Sequence, residues 1–180
     1  LNAIVDLPLA IPTLVTGVML VMLYGPQETL GNFLLEKIGL QVIFASPGIV
    51  ISLLFISFPF VVRSIQPVLE DLDLTQESAA ATLGAKPWRI FRKIVLPALI
   101  LPTLSGSLLS FSRAVGEFGA VVIVAGNIPL KTQTAAVYVL GAVESTNRLG
   151  ASAVSILLIV ISLLMLMISN IIQKYWGTRK

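Results

Sequence analysis

The sequence predicts an all-α polytopic membrane helix bundle, with about four transmembrane helices and a helix-turn-helix outside the membrane. Of its 180 residues, 56% are apolar and 12% are charged, and the mean hydropathy is +0.96. A water-soluble fold of this composition would expose large apolar patches. The apolar residues also form uncharged runs of about 20 residues, the length that crosses a bilayer core of about 30 Å.

Four apolar runs are the candidate spans: 7–24, 42–62, 94–124 and 151–172. The third run is too long for a simple span and contains Arg113 and Glu117. A break near Gly116 and Gly119 would divide it into a span and a half-span. We therefore expect four crossings by a single transmembrane domain that occupies residues 1–180.

The distribution of Lys and Arg predicts the orientation, because an excess of these residues marks cytoplasmic loops. The loops 25–41 and 125–150 carry three of them, Lys37, Lys131 and Arg148. The segment 63–93 and the C-terminal tail carry eight, namely Arg63, Lys86, Arg89, Arg92, Lys93, Lys174, Arg179 and Lys180. We expect this segment, the tail and the N-terminal end to be cytoplasmic. The chain opens on Leu1 without a signal peptide, and we expect further helices upstream of it.

Composition also excludes most catalytic chemistry. The chain contains no Cys and no His, which excludes disulfides, Cys-containing zinc sites and triads with an imidazole base. It has no Gly-rich phosphate loop followed by Lys-Ser or Lys-Thr, so it is not itself an ATPase. We expect no catalytic residue, no metal and no cofactor, and no nucleic-acid partner.

The segment 65–93 reads as helix, turn and helix, and forms the predicted cytoplasmic coupling loop. Thr75 is the expected N-cap of a helix over about 76–83, Gly84 the left-handed residue that ends it, and Pro87 the first turn of the next helix. The small side chains of residues 78–81 leave a nearly bare helix surface. A helix of about eight residues has only marginal stability in water. We therefore expect it to dock against a partner subunit or against other helices of this chain.

This loop resembles that of bacterial ABC-importer permeases. Ser78-Ala79-Ala80, then Gly84, then Ile94-Val95-Leu96-Pro97 are similar to the family's Glu-Ala-Ala…Gly…Ile-x-Leu-Pro motif, with Gly and Ile ten positions apart. Ser78 stands where the family usually has Glu, and Glu77 precedes it. The resemblance implies that the ATPase is contacted by Glu77, Ser78, Ala79, Ala80, Gly84, Ile94, Leu96 and Pro97.

The resemblance extends along nearly the whole chain. The stretches 59–70, 113–120 and 125–129 look like the sulfate, thiosulfate and molybdate permeases, and Ala125-Gly126-Asn127-Ile128 with Lys131-Thr132 looks most like the T subunit of the sulfate permeases. It implies sulfate or thiosulfate transport, with molybdate or tungstate as the alternative. The implied partners are ATPase subunits, a second permease subunit and an extracytoplasmic sulfate-binding protein, in a bacterial inner membrane or alternatively a chloroplast envelope.

Arg113 and Glu117 are the charged pair of the third run, four residues apart and next to rows of small residues spaced by four. Charges inside a membrane usually face a protein interior or a wet cavity, so we expect this segment to line the translocation pathway. Arg113 would fork to an oxyanion near backbone N–H groups exposed by Gly116 and Gly119, with Glu117 neutralised by Arg113. Alternatively, Arg113 and Glu117 only satisfy each other.

Two further alternatives concern the outer loop and the function. Residues 127–131 form either an outer gate, a dock for the binding protein or an ordinary exposed turn. A channel that is not coupled to ATP would explain the spans but not the spacing of Gly84, Ile94 and Pro97 in the coupling loop.

Overall fold

The computed structural model describes residues 2–177, and every regular element within this range is a helix. The first five helices are α1 (Asn2–Ala10), α2 (Thr13–Tyr24), α3 (Thr29–Ile38), α4 (Ser46–Glu70) and α5 (Leu74–Thr82). They are followed by α6 (Pro87–Ile90), a π-helical segment (Phe91–Val95), α7 (Leu96–Val115), α8 (Gly119–Ala125), α9 (Ala135–Glu144) and α10 (Arg148–Gly177). The all-α prediction is confirmed.

Three helices are long and apolar enough to cross a membrane. They are α4 (Ser46–Glu70), the continuous helix Pro87–Val115 and the stretch Arg148–Lys174 of α10. Each contains or overlaps one of the predicted apolar runs. α4 continues beyond 62, so Arg63 lies within a helix and not in the loop. Arg179 and Lys180, which contributed to the predicted orientation, lie outside the described residues.

The first predicted span, 7–24, is not a single straight helix. α1 and α2 meet at 105°, and together they count as a fourth span only if this bent pair crosses the membrane. Pro8 lies inside α1, and Pro12 is the N-cap of α2. α1 continues past Pro8, whereas Pro12 lies at the break between Ala10 and Thr13, because proline lacks the N–H that continues a helix and disfavours helical backbone before it.

The third predicted span, 94–124, begins earlier and is broken near its end. Its helix starts at Pro87, passes through the π-helical segment and ends at Val115, and α8 starts at Gly119. The break predicted near Gly116 and Gly119 is therefore confirmed. α8 has only 7 residues, about 10 Å of helix, so it is a half-span.

Two helices lie in segments that the sequence indicated only as loops. α3 ends at Gly39, which has a left-handed φ of 71°. α9 is apolar but has only 10 residues, too few for a span. Helices this short do not produce an uncharged run of about 20 residues, so the sequence pattern does not indicate them.

The chain divides into two compact units. The first comprises the residues up to Pro59 together with Ser112–Leu163, and α8 lies in its core. Ala120, Val121, Val124 and Ala125 are fully buried. A side chain on Gly17 of α2 would lie 2.9 Å from the backbone oxygen of Ala120, so the absence of one lets α2 and α8 pack closely.

The second unit comprises Phe60–Phe111 and the residues from Leu164 onward. Here α7 packs against α4 at Gly106, where an added Cβ would lie 2.8 Å from Ser64 Cβ. The Ser64 hydroxyl donates to the Pro102 carbonyl at 2.8 Å. α7 also contacts α10 through Ser105 and Ser169, whose buried hydroxyls are 2.9 Å apart. Polar side chains thus link both helix pairs within an apolar unit.

Candidate functional site

The predicted coupling helix, α5, begins two residues earlier than the sequence suggested. Its N-cap is Asp73 and not Thr75. Asp73 Oδ1 accepts from the Thr75 backbone N–H at 2.9 Å and from the Thr75 hydroxyl at 2.6 Å. The threonine is therefore a donor to the cap. These bonds, that of the Thr75 hydroxyl first, lower the pKa of the Asp73 carboxyl, because they stabilise its charged form.

The surface of α5 is nearly bare, as the small side chains predicted. Ser78, Ala79 and Ala81 are exposed, and Glu77 and Ala80 are half-buried. The Thr82 hydroxyl donates to the Ser78 carbonyl at 2.8 Å, so this side chain is folded back along the helix. Leu83, immediately after α5, is 88% exposed. The helix therefore presents small side chains together with one large apolar one.

The turn after α5 is a Schellman motif built on Gly84, which has the predicted left-handed conformation with φ 80°. The Gly84 N–H donates to Ala81 O at 2.9 Å, and the Ala85 N–H donates to Ala80 O at 3.0 Å. Lys86 is the N-cap of α6, and Pro87 is in its first turn as predicted. The coupling loop therefore has a defined backbone.

The remaining motif residues start the long helix that follows. Ile94 is half-buried within the π-helical segment, and Leu96 and Pro97 are exposed at the first turn of α7. A π turn inside an α-helix is uncommon and frequently occurs at functional positions. The sequence did not predict it.

Arg113 and Glu117 form an ion pair across the break between α7 and α8. Arg113 Nη1 donates to Glu117 Oε2 at 2.8 Å, and the Arg113 and Glu117 side chains are 38% and 2% exposed. Glu117 Oε1 also accepts from the Ala120 N–H at 3.2 Å. The carboxylate therefore joins Arg113 in α7 to a first-turn donor of α8. The sequence placed both charges on one helix face, but Glu117 lies in the interruption.

The two glycines of the predicted pathway have different surroundings. Gly116 is exposed, and a Cβ there would meet only the Arg113 carbonyl oxygen, at 4.0 Å. Gly119 is buried, and a Cβ there would collide with Thr13 and Leu14 at the start of α2. Gly119 thus provides a close contact between helices. Pathway lining by either glycine stays a prediction.

The loop after α8 is held in one conformation by Thr132. The Thr132 hydroxyl donates to Ala125 O at 2.6 Å and accepts from the Ile128 N–H at 3.2 Å. Asn127 and Leu130 have positive φ, 51° and 61°, and Leu130 is fully exposed. For a leucine, this conformation is strained. The loop 127–131 therefore displays an apolar side chain on an ordered turn.

Sequence reasoning missed the polar contacts between α7 and α10. Gln173 Nε2 donates to Ser105 Oγ at 2.8 Å, and this oxygen is also bonded to the Ser169 hydroxyl. These side chains are far apart in the sequence, and single Ser residues in apolar helices are common. The only hint of a polar contact was Gln173, directly after the apolar run 151–172.

A family model matches the entire chain, residues 1–180, and describes a binding-protein-dependent transport system inner membrane component. The chain is 42% identical over 173 residues, 96% of its own length, to a probable sulfate transport system permease protein cysT of Chlorella vulgaris. It is 42% identical over 99% of its length to the sulfate transport system permease protein CysT of Synechocystis. The protein of that name from Escherichia coli is 41% identical over 99% of the chain.

The chain spans only part of these relatives. The matched region covers 65% of the Chlorella vulgaris protein, 62% of the Synechocystis protein and 64% of the Escherichia coli protein. All three names describe permease subunits of transport systems, in agreement with the resemblance of the coupling loop.

Proposed function

Because the chain belongs to the family of binding-protein-dependent transport system inner membrane components, we propose that it is a transmembrane subunit of an ATP-driven importer that translocates sulfate or thiosulfate. Permease subunits conduct their substrate and are not enzymes, so ATP hydrolysis is the task of partner ATPase subunits. The similarity to three sulfate transport system permease proteins supports sulfate as the substrate.

The exposed helix α5 is the observation that carries this proposal. It has small side chains, a charged N-cap and a Schellman turn at its end, so a partner's cleft meets a preformed surface. Preorganisation lowers the entropy lost on binding. We infer that Glu77, Ser78, Ala79 and Ala80 contact an ATPase subunit, and that Gly84 fixes the angle at which α5 is presented.

The continuous helix Pro87–Val115 is the proposed transmission element. It starts three residues after Gly84 and ends two residues after Arg113. Because the helix is continuous, we infer that a displacement of α5 passes through the π-helical segment Phe91–Val95 and along α7 towards Arg113. The start of this helix, where the displacement of α5 enters it, contains Ile94, Leu96 and Pro97.

Arg113 is the residue that we propose faces the permeating anion. Its guanidinium binds Glu117 through Nη1 while the side chain stays 38% exposed. A guanidinium has five N–H donors and can bind an oxyanion in a bidentate manner while it neutralises a carboxylate. In this arrangement Glu117 holds Arg113 and α8 in position, and Gly116 leaves the approach to Arg113 open.

The remaining partners belong to the same proposal. A second permease subunit completes the pathway, and an extracytoplasmic sulfate-binding protein delivers the anion. The loop 127–131 suits the binding protein, because the exposed Leu130 projects from an ordered turn.

The relatives come from organisms as different as Escherichia coli and Chlorella vulgaris. Of the inner membrane and the chloroplast envelope, we propose the former.

Copurification and uptake test this function together. The full-length subunit, coexpressed with its partners, should retain the ATPase and support uptake of radiolabelled sulfate. Ala79→Trp on α5 should release the ATPase, whereas Ala135→Trp, at an exposed position of α9, should not. Retention of the ATPase by Ala79→Trp would contradict the coupling surface.

The substrate is tested separately by competition. Unlabelled thiosulfate should suppress sulfate uptake, and molybdate should do so only at much higher concentration. Stronger suppression by molybdate or tungstate would reassign the substrate within the family, and uptake without an ATPase would indicate a channel.

A further inference from the structure

The helix Pro87–Val115 is longer than a membrane crossing requires. It has 29 residues, whereas about 20 residues cross a bilayer core of about 30 Å. We place the excess residues, 87–95, at the level of the lipid headgroups, because Arg89, Arg92 and Lys93 lie among them. This end carries a basic segment, which we define as Lys86, Arg89, Arg92 and Lys93, and all four residues are exposed.

The basic segment has no counter-charge of its own. Between Glu77 and Glu117 the sequence contains no Asp or Glu. Among the described residues, no acidic side chain forms an ion pair with any of the four cations. Clustered cations repel each other, and a nearby anionic surface would relieve this repulsion. This end of the helix therefore favours an anionic surface.

Two aromatic residues accompany these cations. The rings of Trp88 and Phe91 stack with their centroids 5.6 Å apart and an angle of 25° between the planes. Trp88 is 70% exposed. On a helical period, Trp88, Phe91 and Val95 lie on one side, next to the arc of Arg and Lys residues. Amphipathic rings beside cations at the end of a spanning helix are typical of the membrane interface.

We propose that the basic segment, with Trp88 and Phe91, binds the headgroups of anionic phospholipids on the face of the membrane where this helix begins. Arg89 and Arg92 bind the phosphate oxygens and the two aromatic rings lie at the level of the glycerol backbone. A lipid surface is favoured over a protein partner because the segment continues directly into a membrane-spanning helix. The bound lipids hold the start of this helix, and with it the Gly84 turn, at a constant depth.

Local fluorescence quenching tests this site. Trp176→Phe leaves Trp88 as the only tryptophan in these 180 residues. The full-length subunit, with its partners, is reconstituted in phosphatidylcholine vesicles that contain a fixed small fraction of dibrominated phosphatidylglycerol or dibrominated phosphatidylcholine. The same complex with Trp88→Phe measures the fluorescence of all other tryptophans, so the difference between the two samples is the Trp88 signal. We expect the anionic lipid to quench this signal severalfold more strongly, and the preference to shrink in 1 M salt, where the Debye length is about 3 Å. Equal quenching of Trp88 by the two lipids would overturn the proposal.

Two variants that each remove three positive charges show which residues cause the preference for the anionic lipid. Arg89→Gln/Arg92→Gln/Lys93→Gln should remove most of the preference for phosphatidylglycerol. Lys37→Gln/Lys131→Gln/Arg148→Gln removes the same charge elsewhere and should leave the preference unchanged. Arg89→Lys/Arg92→Lys should retain most of it, because the charge is kept. An unchanged preference in the first variant, or release of the ATPase from it without any change in quenching, would assign the segment to a protein contact.

Discussion

At the scale of single residues, substitutions of Arg113 and Glu117 distinguish a structural role of this pair from a role in transport. Arg113→Ala would leave the buried Glu117 carboxylate without its cation and should destabilise the subunit. The cost is about 3 kcal/mol, the lower end for a broken buried pair, because Arg113 is 38% exposed. If Arg113 only neutralises Glu117, then Arg113→Ala/Glu117→Ala should restore both protein level and uptake.

The pathway role predicts a different outcome for the same double variant. It should reach the membrane at a normal level and still transport sulfate poorly, since removal of Glu117 does not replace a lost bidentate donor. Arg113→Lys should be intermediate, because Lys keeps the charge but not the fork. Membrane protein level and sulfate uptake are the two measurements, and normal uptake by the double variant would exclude direct contact with the anion.

The second prediction concerns Gly84, and Gly39 provides a control with the same backbone conformation. Gly84→Val should uncouple transport from ATP hydrolysis, because a β-branched residue resists the left-handed backbone at a cost of about 1–2 kcal/mol. Gly39→Val imposes similar strain, since Gly39 also has a left-handed φ and no atom near a Cβ position. We expect loss of sulfate-stimulated ATPase activity only for Gly84→Val. An equal loss in both variants would indicate a general folding defect.

At the scale of elements, the cap of α5 should make this helix sensitive to acid. The pKa of the Asp73 carboxyl is lowered in the folded chain by the Thr75 hydroxyl and backbone N–H. The stabilisation is therefore fully present above the ordinary Asp pKa and disappears as the pH falls through the lowered value. Protection of the α5 amides from hydrogen exchange should show this loss.

Two substitutions at Asp73 provide the controls. Asp73→Asn keeps a capping oxygen without a titrating carboxyl and should remove the acid dependence. Asp73→Ala should leave α5 frayed at every pH. Acid-sensitive exchange that persists in Asp73→Asn would assign the effect to another group.

The contact between α4 and α7 gives another prediction at this scale. A Cβ on Gly106 would lie 2.8 Å from Ser64 Cβ and 2.9 Å from Val61 Cα. Gly106→Ala should therefore cost about 1–3 kcal/mol by overpacking. Gly141→Ala, where an added Cβ meets nothing within 4 Å, should be neutral or slightly stabilising. Thermal unfolding in detergent compares the two variants, and equal midpoints would contradict the close packing.

At the scale of the whole molecule, the predicted orientation is testable because these residues contain no Cys. Leu83→Cys and Leu130→Cys introduce thiols at positions that are 88% exposed and fully exposed. A membrane-impermeant maleimide should label position 83 only from the cytoplasmic side and position 130 only from the opposite side. Labelling of both positions from one side would contradict the assignment from Lys and Arg.

Much of this molecule followed from the sequence, for reasons that differ between its parts. The spans of α4, α7 and α10 were predicted because a bilayer core requires uncharged apolar runs of about 20 residues. Gly84 and Pro87 were located because few residues suit a left-handed turn or a first helical turn. The cap of α5 was assigned to the wrong residue, since Asp73 and Thr75 are both good caps and the choice depends on local backbone geometry.

The sequence by itself therefore determined the helical class, the membrane, the three long spans and the approximate position of α5, because each depends on composition or on neighbours along the chain. Only the tertiary structure decided that the proline break in 7–24 bends the chain by 105°, that α8 is a largely buried half-span and that Glu117 joins α7 to α8. It also revealed the contact between Ser105 and Ser169, which are 64 positions apart. These features depend on which helix faces approach each other, and packing between distant segments leaves no periodic signal in a single sequence.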